Sequence, residues 1–397
     1  MFIKRAETLA RIQRGLKNYP VTAILGPRQC GKTTLARFIC DQKRGTYYDL
    51  ENPRHRAQLE NAMSVLSQPH PLIVLDEIQQ QPELTMVLRV LADRKPIRTR
   101  FLILGSASPD LAMRASDSLA GRIHFVDMSG FTLDVVGVRQ QEQLWVRGGF
   151  PLSYTAPDDE SSTAWRENFI RTFLERDLPQ LGVRIPAATL RRFWTMLAHY
   201  HGQVWNASDI GKSLAVSYPT AKKYLDILTG GFVVRQLQPW FENLGKRIVK
   251  APKVYIRDSG ILHCLLDVTD WHMLHSHPRL GASWEGFAME QILDWLGDRD
   301  SYFWGTYAGA ELDLFAIRRG KRFGFEFKYN EAPTMTKSMH IALKDLKLDR
   351  LWVMYPGKSS YPMHEKVECV SLTDIAKIRT VIEGKKTSRT SKHQPFS

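Results

Sequence analysis

Short apolar runs alternate with stretches of helical spacing through the first third of the chain. Val21-Thr-Ala-Ile-Leu25, Leu72-Ile-Val-Leu75 and Phe101-Leu-Ile-Leu104 carry almost no polar position, the pattern of parallel strands buried on both faces. Thr46-Tyr-Tyr-Asp-Leu50 and Ile123-His-Phe-Val-Asp-Met128 predict further strands. Between the strands, Thr33–Cys40, the segment through Leu59 and Met63, and Glu83–Leu91 return apolar residues at helical spacing. Residues 1–20 predict an amphipathic lead-in helix. This alternation predicts an α/β domain over residues 1–138.

The turn after the first strand carries the chemistry. Gly26-Pro27-Arg28-Gln29-Cys30-Gly31-Lys32-Thr33 fits G-x-x-x-x-G-K-[ST] and lies between a predicted strand and a predicted helix. Gly26 and Gly31 let the backbone turn its N–H groups inward as an anion nest, and the following helix adds its N-terminus. Residues Gly26 through Thr34 are thus expected to bind ATP, with Lys32 on the β- and γ-phosphates and Thr33 on Mg²⁺. The strand at residues 72–75 runs into Asp76 and Glu77, where Asp76 is expected to hold Mg²⁺ through water and Glu77 to polarise the attacking water. Ser106, ending the next apolar strand, either senses the γ-phosphate or caps the next segment of chain. Arg122 is either an arginine finger, acting in its own chain or a neighbour, or a surface arginine.

Helical segments are expected over residues 139–200 as a lid or linker, with no catalytic group standing out in Trp165–Leu178. His199 and His201 lack a further ligand pattern and point to a helix end. Residues 201–265 predict a short helix capped by Ser208, a turn, a helix opening at Pro219, and strands at Phe232–Leu237 and Lys253–Arg257. Over residues 266–381, Gly281–Leu296 predicts a helix, and Tyr302–Trp304, Glu311–Ile317 and Phe323–Lys328 predict strands. In the last strand residues 324, 326 and 328 share a face, so Glu326 and Lys328 point the same way and Asp313 can converge on them. Alternating charges on a solvent-facing strand would give the same letters.

Three resemblances attach to these residues. The Gly26–Thr34 loop, Leu72–Gln79, FLILGSAS, Ser118-Leu-Ala-Gly-Arg122, Gly148-Gly-Phe-Pro151 and Phe169–Leu178 resemble the prokaryotic AAA-type ATPases that carry an uncharacterised conserved C-terminal domain. That likeness implies an ATP-binding core and a DNA-related C-terminal half. Residues 201–265 resemble a winged helix-turn-helix, implying phosphate contacts by Lys222, Lys223, Lys246, Arg247 and Lys250, although such modules also serve protein contact. The Asp313…Glu326-x-Lys328 pattern resembles a restriction-endonuclease-type core, implying Glu285, Asp313 and Glu326 as Mg²⁺ ligands beside Lys328.

Composition narrows the class. Among 397 residues, 55 Lys and Arg against 41 Asp and Glu give a net charge of +14, which favours a polyanionic partner such as DNA. The 4 cysteines show no C-x-x-C spacing, against zinc and a secreted disulfide framework. No apolar run is long enough to span a bilayer, so no membrane partner is expected, and the lack of a secreted disulfide framework makes the cytoplasm the expected location. Residues 382–397 are polar and basic and are expected to be disordered. The expected function is ATP hydrolysis coupled to DNA engagement, with metal-dependent cleavage as an extension and homo-oligomers allowed. The alternative is a regulatory nucleotide switch whose C-terminal half binds proteins.

Overall fold

A computed structural model describes residues 3–97, 99–106, 119–241 and 249–384. Lys246, Arg247, Ser118, the Ala107-Ser108 end of FLILGSAS and residues 385–397 lie outside the described residues. The chain divides into two compact units, Met1–Gln236 with Val254–Arg279, and Leu237–Lys253 with Leu280–Ser397.

The first unit is built on a parallel sheet. Its strands are β1 (Val21–Leu25), β2 (Thr46–Asp49), β3 (Ile73–Asp76), β4 (Phe101–Gly105) and β5 (Ile123–Asp127), in the order β2-β3-β4-β1-β5. The three central strands are buried at every position, because helices cover both faces, while the edge strands β2 and β5 are half-buried. Leu88, Leu84 and Leu91 of the helix Leu84–Ala92 join Ile73, Leu75, Phe101 and Ile103 in one core. The register aligns Leu25 with Gly105 and Leu75 with Ile103, so the C-terminal ends of β1, β4 and β3 meet along one edge. In open α/β sheets that edge is the ligand crevice. The helix expected through Leu59 and Met63 is instead two short helices, Pro53–Gln58 and Ala62–Leu66, each capped by an asparagine, Asn52 and Asn61.

The segment after this sheet is helical. Gly148 has φ of +77°, and a Cβ there would lie 2.2 Å from Asp258 Oδ1; Asp258 Oδ2 accepts from the Gly149 N–H at 2.7 Å. That close approach is why a glycine pair stands before Phe150 and Pro151. The helix Asp159–Thr172 runs into a single π-helical turn, Phe173–Asp177. Then come β6 (Gln203–Val204), helices Ala207–Leu214 and Tyr218–Gly230, β7 (Val234–Leu237) and β8 (Lys253–Ile256), with sheet order β6-β8-β7. The first helix is capped by Asn206, which accepts from the N–H groups of Ser208 and Asp209; Ser208 already lies inside the helix, too late for the role expected of it. His201 is buried and its Nδ1 accepts from the Ile256 N–H at 3.0 Å, which makes it a packing residue.

The second unit is a six-stranded sheet of β9 (Ser301–Gly305), β10 (Glu311–Arg318), β11 (Lys321–Phe327), β12 (Arg350–Tyr355), β13 (Tyr361–His364) and β14 (Val367–Ser371), in the order β13-β14-β12-β11-β10-β9. The β9–β10–β11 part is an antiparallel meander, whereas β12 lies parallel to β11 and β14. The helix Leu280–Leu296 packs on β11. The pairing of β9 with β10 slips between Leu312 and Phe315, at Asp313. Such an irregularity re-aims a side chain, and here it lets a carboxylate enter a run of buried apolar positions.

Candidate functional site

The loop after β1 has the backbone that phosphate binding needs. A Cβ at Gly26 would sit 2.0 Å from the Met128 carbonyl oxygen, and Gly31 has φ of +99° as it enters the helix Lys32–Gln42. Only glycine serves at either place. Lys32 is buried, with Nζ donating to the Gly26 and Pro27 carbonyl oxygens at 2.9 and 2.8 Å. Its ammonium thus lies over the loop it is expected to share with phosphate. Arg5 braces the loop from outside the motif: it donates to Cys30 O at 2.6 Å, to Ser129 O at 2.7 Å and to Gly130 O at 2.9 Å.

Thr33 Oγ1 donates to Asp76 Oδ2 at 2.8 Å, so these two expected Mg²⁺-holding groups face each other. The Tyr47 hydroxyl also donates to Asp76 Oδ2. Burial pushes the Asp76 carboxyl up, against the hydrogen bonds from Tyr47 and Thr33 that lower it. Burial and the hydrogen bond to Asp76 push the Tyr47 hydroxyl up as well. A dication beside Asp76 would favour the charged form, so the donor set suits Mg²⁺ with ATP phosphates.

Glu77 follows β3 with φ of +56°, a left-handed conformation that is uncommon for glutamate. Its Oε2 accepts from Ser106 Oγ at 3.0 Å and from the Gln79 amide, which also donates to Ser106 Oγ at 3.0 Å. Ser106 therefore touches the carboxylate expected to polarise water, as its position on the strand between β1 and β3 allows. Arg28 extends the network. Its Nη1 meets Asp177 Oδ1 at 2.6 Å, and its Nη2 donates to Gln180 at 2.9 Å and to Glu51 at 3.3 Å.

Arg122 lies elsewhere. It precedes β5, whose Ile123 pairs with Val21, whereas the loop leaves β1 after Leu25 at the opposite edge. Five residues of strand separate the edges by roughly 16 Å. Arg122 is forked onto Asp93 at 2.6 and 3.0 Å, so a finger role within its own nucleotide site is ruled out by the sheet itself.

In the second unit Asp313, Glu326 and Lys328 do come together. Lys328 Nζ is 2.8 Å from Glu326 Oε2 and 3.8 Å from Asp313 Oδ2, which also accepts from the Phe327 N–H at 3.0 Å. Asp313 and Glu326 are buried, which removes the solvent-facing alternative for them. Burial pushes Asp313 up, but the Lys253 and Lys328 ammonium groups outweigh it and hold the carboxyl below its ordinary value. Glu326 stands well above its own, because burial and the Asp313 charge oppose its ionisation. Glu285 faces a residue absent from the sequence-based set: Lys253, whose Nζ is 3.4 Å from Glu285 and 3.5 Å from Asp313 and also pairs with Glu311. Among the described residues no group of three or more His, Cys, Asp or Glu side chains is placed to hold a metal ion. The expected set Glu285, Asp313 and Glu326 thus does not fit Mg²⁺ in this arrangement, because an ammonium stands among the carboxylates.

Family models match the chain in three stretches: an AAA domain over residues 18–136, a domain of unknown function (DUF8612) over 138–272 and another (DUF4143) over 280–375. Two curated relatives, the uncharacterized proteins Rv2008c of Mycobacterium tuberculosis and Mb2031c of Mycobacterium bovis, are 49% identical over 383 residues, covering 96% of this chain and 87% of theirs. The chain belongs to their family.

Solved structures similar to this chain include the Walker-type ATPase PABY2304 of Pyrococcus abyssi, at 17% identity and TM-score 0.48, covering 67% of this chain and 96% of that one. A second is the STAND protein PH0952 of Pyrococcus horikoshii, at 13% identity and TM-score 0.30, covering 75% and 45%. Within the family member, sequence reasoning missed Arg5, Tyr47, Gln79 and Asp177 in the first unit and Lys253 and Glu311 in the second. Asp177 carried a signal, since it lies in the Phe169–Leu178 stretch, but nothing local marks it as the partner of a loop 149 positions away. Lys253 begins a predicted strand and shows no motif. Among the described residues no helix is long and apolar enough to cross a membrane.

Proposed function

We propose that the protein hydrolyses ATP and uses the nucleotide state to control how a basic helix-turn-helix module engages DNA. The observation that carries this reading is Arg28, which reaches from the middle of the phosphate loop to Asp177 and Gln180 at the end of the helical segment. Thr33 and Asp76 would hold the Mg²⁺ that arrives with ATP, whose charge offsets that of the phosphates. Lys32 is drawn from the loop carbonyls to the phosphates, Ser106 orients the Glu77 carboxylate, and Glu77 accepts hydrogen from the attacking water. Arg28 meets new negative charge and loosens its hold on Asp177, which reports occupancy to the chain beyond. Lys222 and Lys223, exposed on the helix Tyr218–Gly230, supply cations for DNA phosphates.

The test is ATP turnover by the purified protein with Mg²⁺, with and without duplex or single-stranded DNA, at two salt concentrations. DNA should raise turnover at low salt, and the stimulation should vanish as salt rises, because phosphate contacts are lost with counterion release. Lys32→Ala should abolish turnover, and Glu77→Gln should keep ATP bound while slowing hydrolysis by about a hundredfold or more. Full activity of Lys32→Ala removes the reading. Turnover indifferent to DNA favours a regulatory switch contacting protein, a use to which the exposed Tyr218 beside those lysines is suited.

A further inference from the structure

Lys253 leads β8, yet its side chain is only 3% exposed. Its Nζ is ringed by carboxylates of Glu285, Asp313 and Glu311 and lies 5.8 Å from the centre of the Phe303 ring. A buried ammonium persists only when paired, and these acids pair it. The oxygens of Asp313 are both engaged, Oδ1 with Lys253 and Oδ2 with the Phe327 N–H. Lys328 lies 2.8 Å from Glu326 and 3.8 Å from Asp313 Oδ2.

We propose that Lys253 is the resident cation of this carboxylate cluster and that, while it stays there, the cluster takes up no divalent ion. The likeness to metal-dependent nucleases points the other way, but the geometry stands against it. Mg²⁺ requires oxygens at about 2.0–2.1 Å in near-octahedral array. Carboxylates spread around an ammonium, two of them beyond 3 Å from its nitrogen, do not supply that shell. A divalent ion entering here would also have to expel a positive charge that is itself buried among the ligands. The acids of this cluster accordingly serve to seat a lysine and not a metal for phosphodiester cleavage.

Mn²⁺ serves as the probe, in full-length protein without nucleotide and in an Asp76→Asn background that disables the ATP-linked metal position. Electron paramagnetic resonance should find no tight Mn²⁺ site in that background. Adding Lys253→Met should create one, gaining at least about tenfold in affinity, and adding Asp313→Asn should abolish it again. Tight Mn²⁺ binding with Lys253 in place, removed by Asp313→Asn, would overturn the proposal. So would a folded Lys253→Met protein that gains no site. Should Lys253→Met fail to fold, melting of the Asp76→Asn protein with and without Mn²⁺ still decides: an unchanged midpoint supports the resident lysine, and a rise cancelled by Asp313→Asn sinks it. Since no nucleotide is used, the outcome is independent of the ATPase reading.

Discussion

His263 illustrates how a single side chain can set the acid limit of the first unit. It is fully buried, its Nδ1 lies 3.0 Å from the Val146 carbonyl oxygen, and burial lowers it to about 3, with the positive charges of Arg166 and His277 acting the same way. The unfolded chain would take up this proton near pH 6.5, about the ordinary histidine value, while the folded chain refuses it until near pH 3. Between those values the unfolded state binds more protons, so stability is full above the window and falls as pH drops through it. The limit is one proton, about 1.4 kcal/mol per pH unit. In urea unfolding at several values from about pH 7 to about pH 4, His263→Gln should therefore flatten the decline relative to the wild type. Equal slopes would mean that His263 titrates normally. Residues of this kind are invisible in sequence, because a histidine reads the same buried or exposed. Lys32 with Thr33, and Asp76 with Glu77, could be nominated from sequence because each pair stands in a short local motif, one after a glycine loop and one at the end of an apolar strand. Arg5, Tyr47 and Lys253 could not, because each acts through partners distant in the chain.

Elements were legible wherever burial is uniform along them. The runs at residues 21–25, 73–75 and 101–104 could only be strands between covering layers, and the helix Leu280–Leu296 is buried at most positions from Ser283 to Leu293. The strands β12, β13 and β14 went unread: β13 is a half-exposed edge, while Leu351-Trp-Val-Met-Tyr355 is an apolar run whose meaning depends on lying beside β11. The π-helical turn at Phe173–Asp177 was hidden too, since its hydrogen-bond shift leaves the apolar spacing almost intact. That turn ends on Asp177, which is 2% exposed and whose Oδ2 has no hydrogen-bond partner among the described residues. Its other oxygen, Oδ1, meets both Arg28 at 2.6 Å and Arg176 at 3.1 Å, so Arg176 can keep the carboxylate paired when Arg28 turns to phosphate. If ATP phosphates compete with Asp177 for Arg28, removing the competitor's charge makes ATP binding easier. Asp177→Asn should thus lower the ATP dissociation constant, by up to about tenfold for about 1.4 kcal/mol of relieved competition, as read by nucleotide titration. A change in melting temperature with unaltered ATP affinity would make Asp177 a packing residue only.

At the scale of the whole molecule, two compact units interleave in sequence, for residues 237–253 belong to the second while 254–279 return to the first. A linear reading assigns contiguous domains and cannot anticipate such an exchange, just as it cannot tell which edge of a sheet a residue occupies. Arg122 shows the consequence. Its place beside β5, a strand length away from the loop, leaves only one route to a nucleotide, across a boundary to a second copy of the chain. Two measurements of turnover separate the possibilities. In protein dilute enough to be monomeric, Arg122→Ala should hydrolyse ATP within about twofold of the wild-type rate, because nothing in the chain's own site depends on it. A loss of about tenfold there would contradict the sheet geometry. At high concentration Arg122→Ala is then mixed with Lys32→Ala, which lacks a working loop but keeps its arginine. If the arginine serves a neighbour, the mixture should turn over faster than either variant alone, since each supplies what the other lacks. A mixture no faster than the sum of its parts would leave Arg122 to its exposed pairing with Asp93.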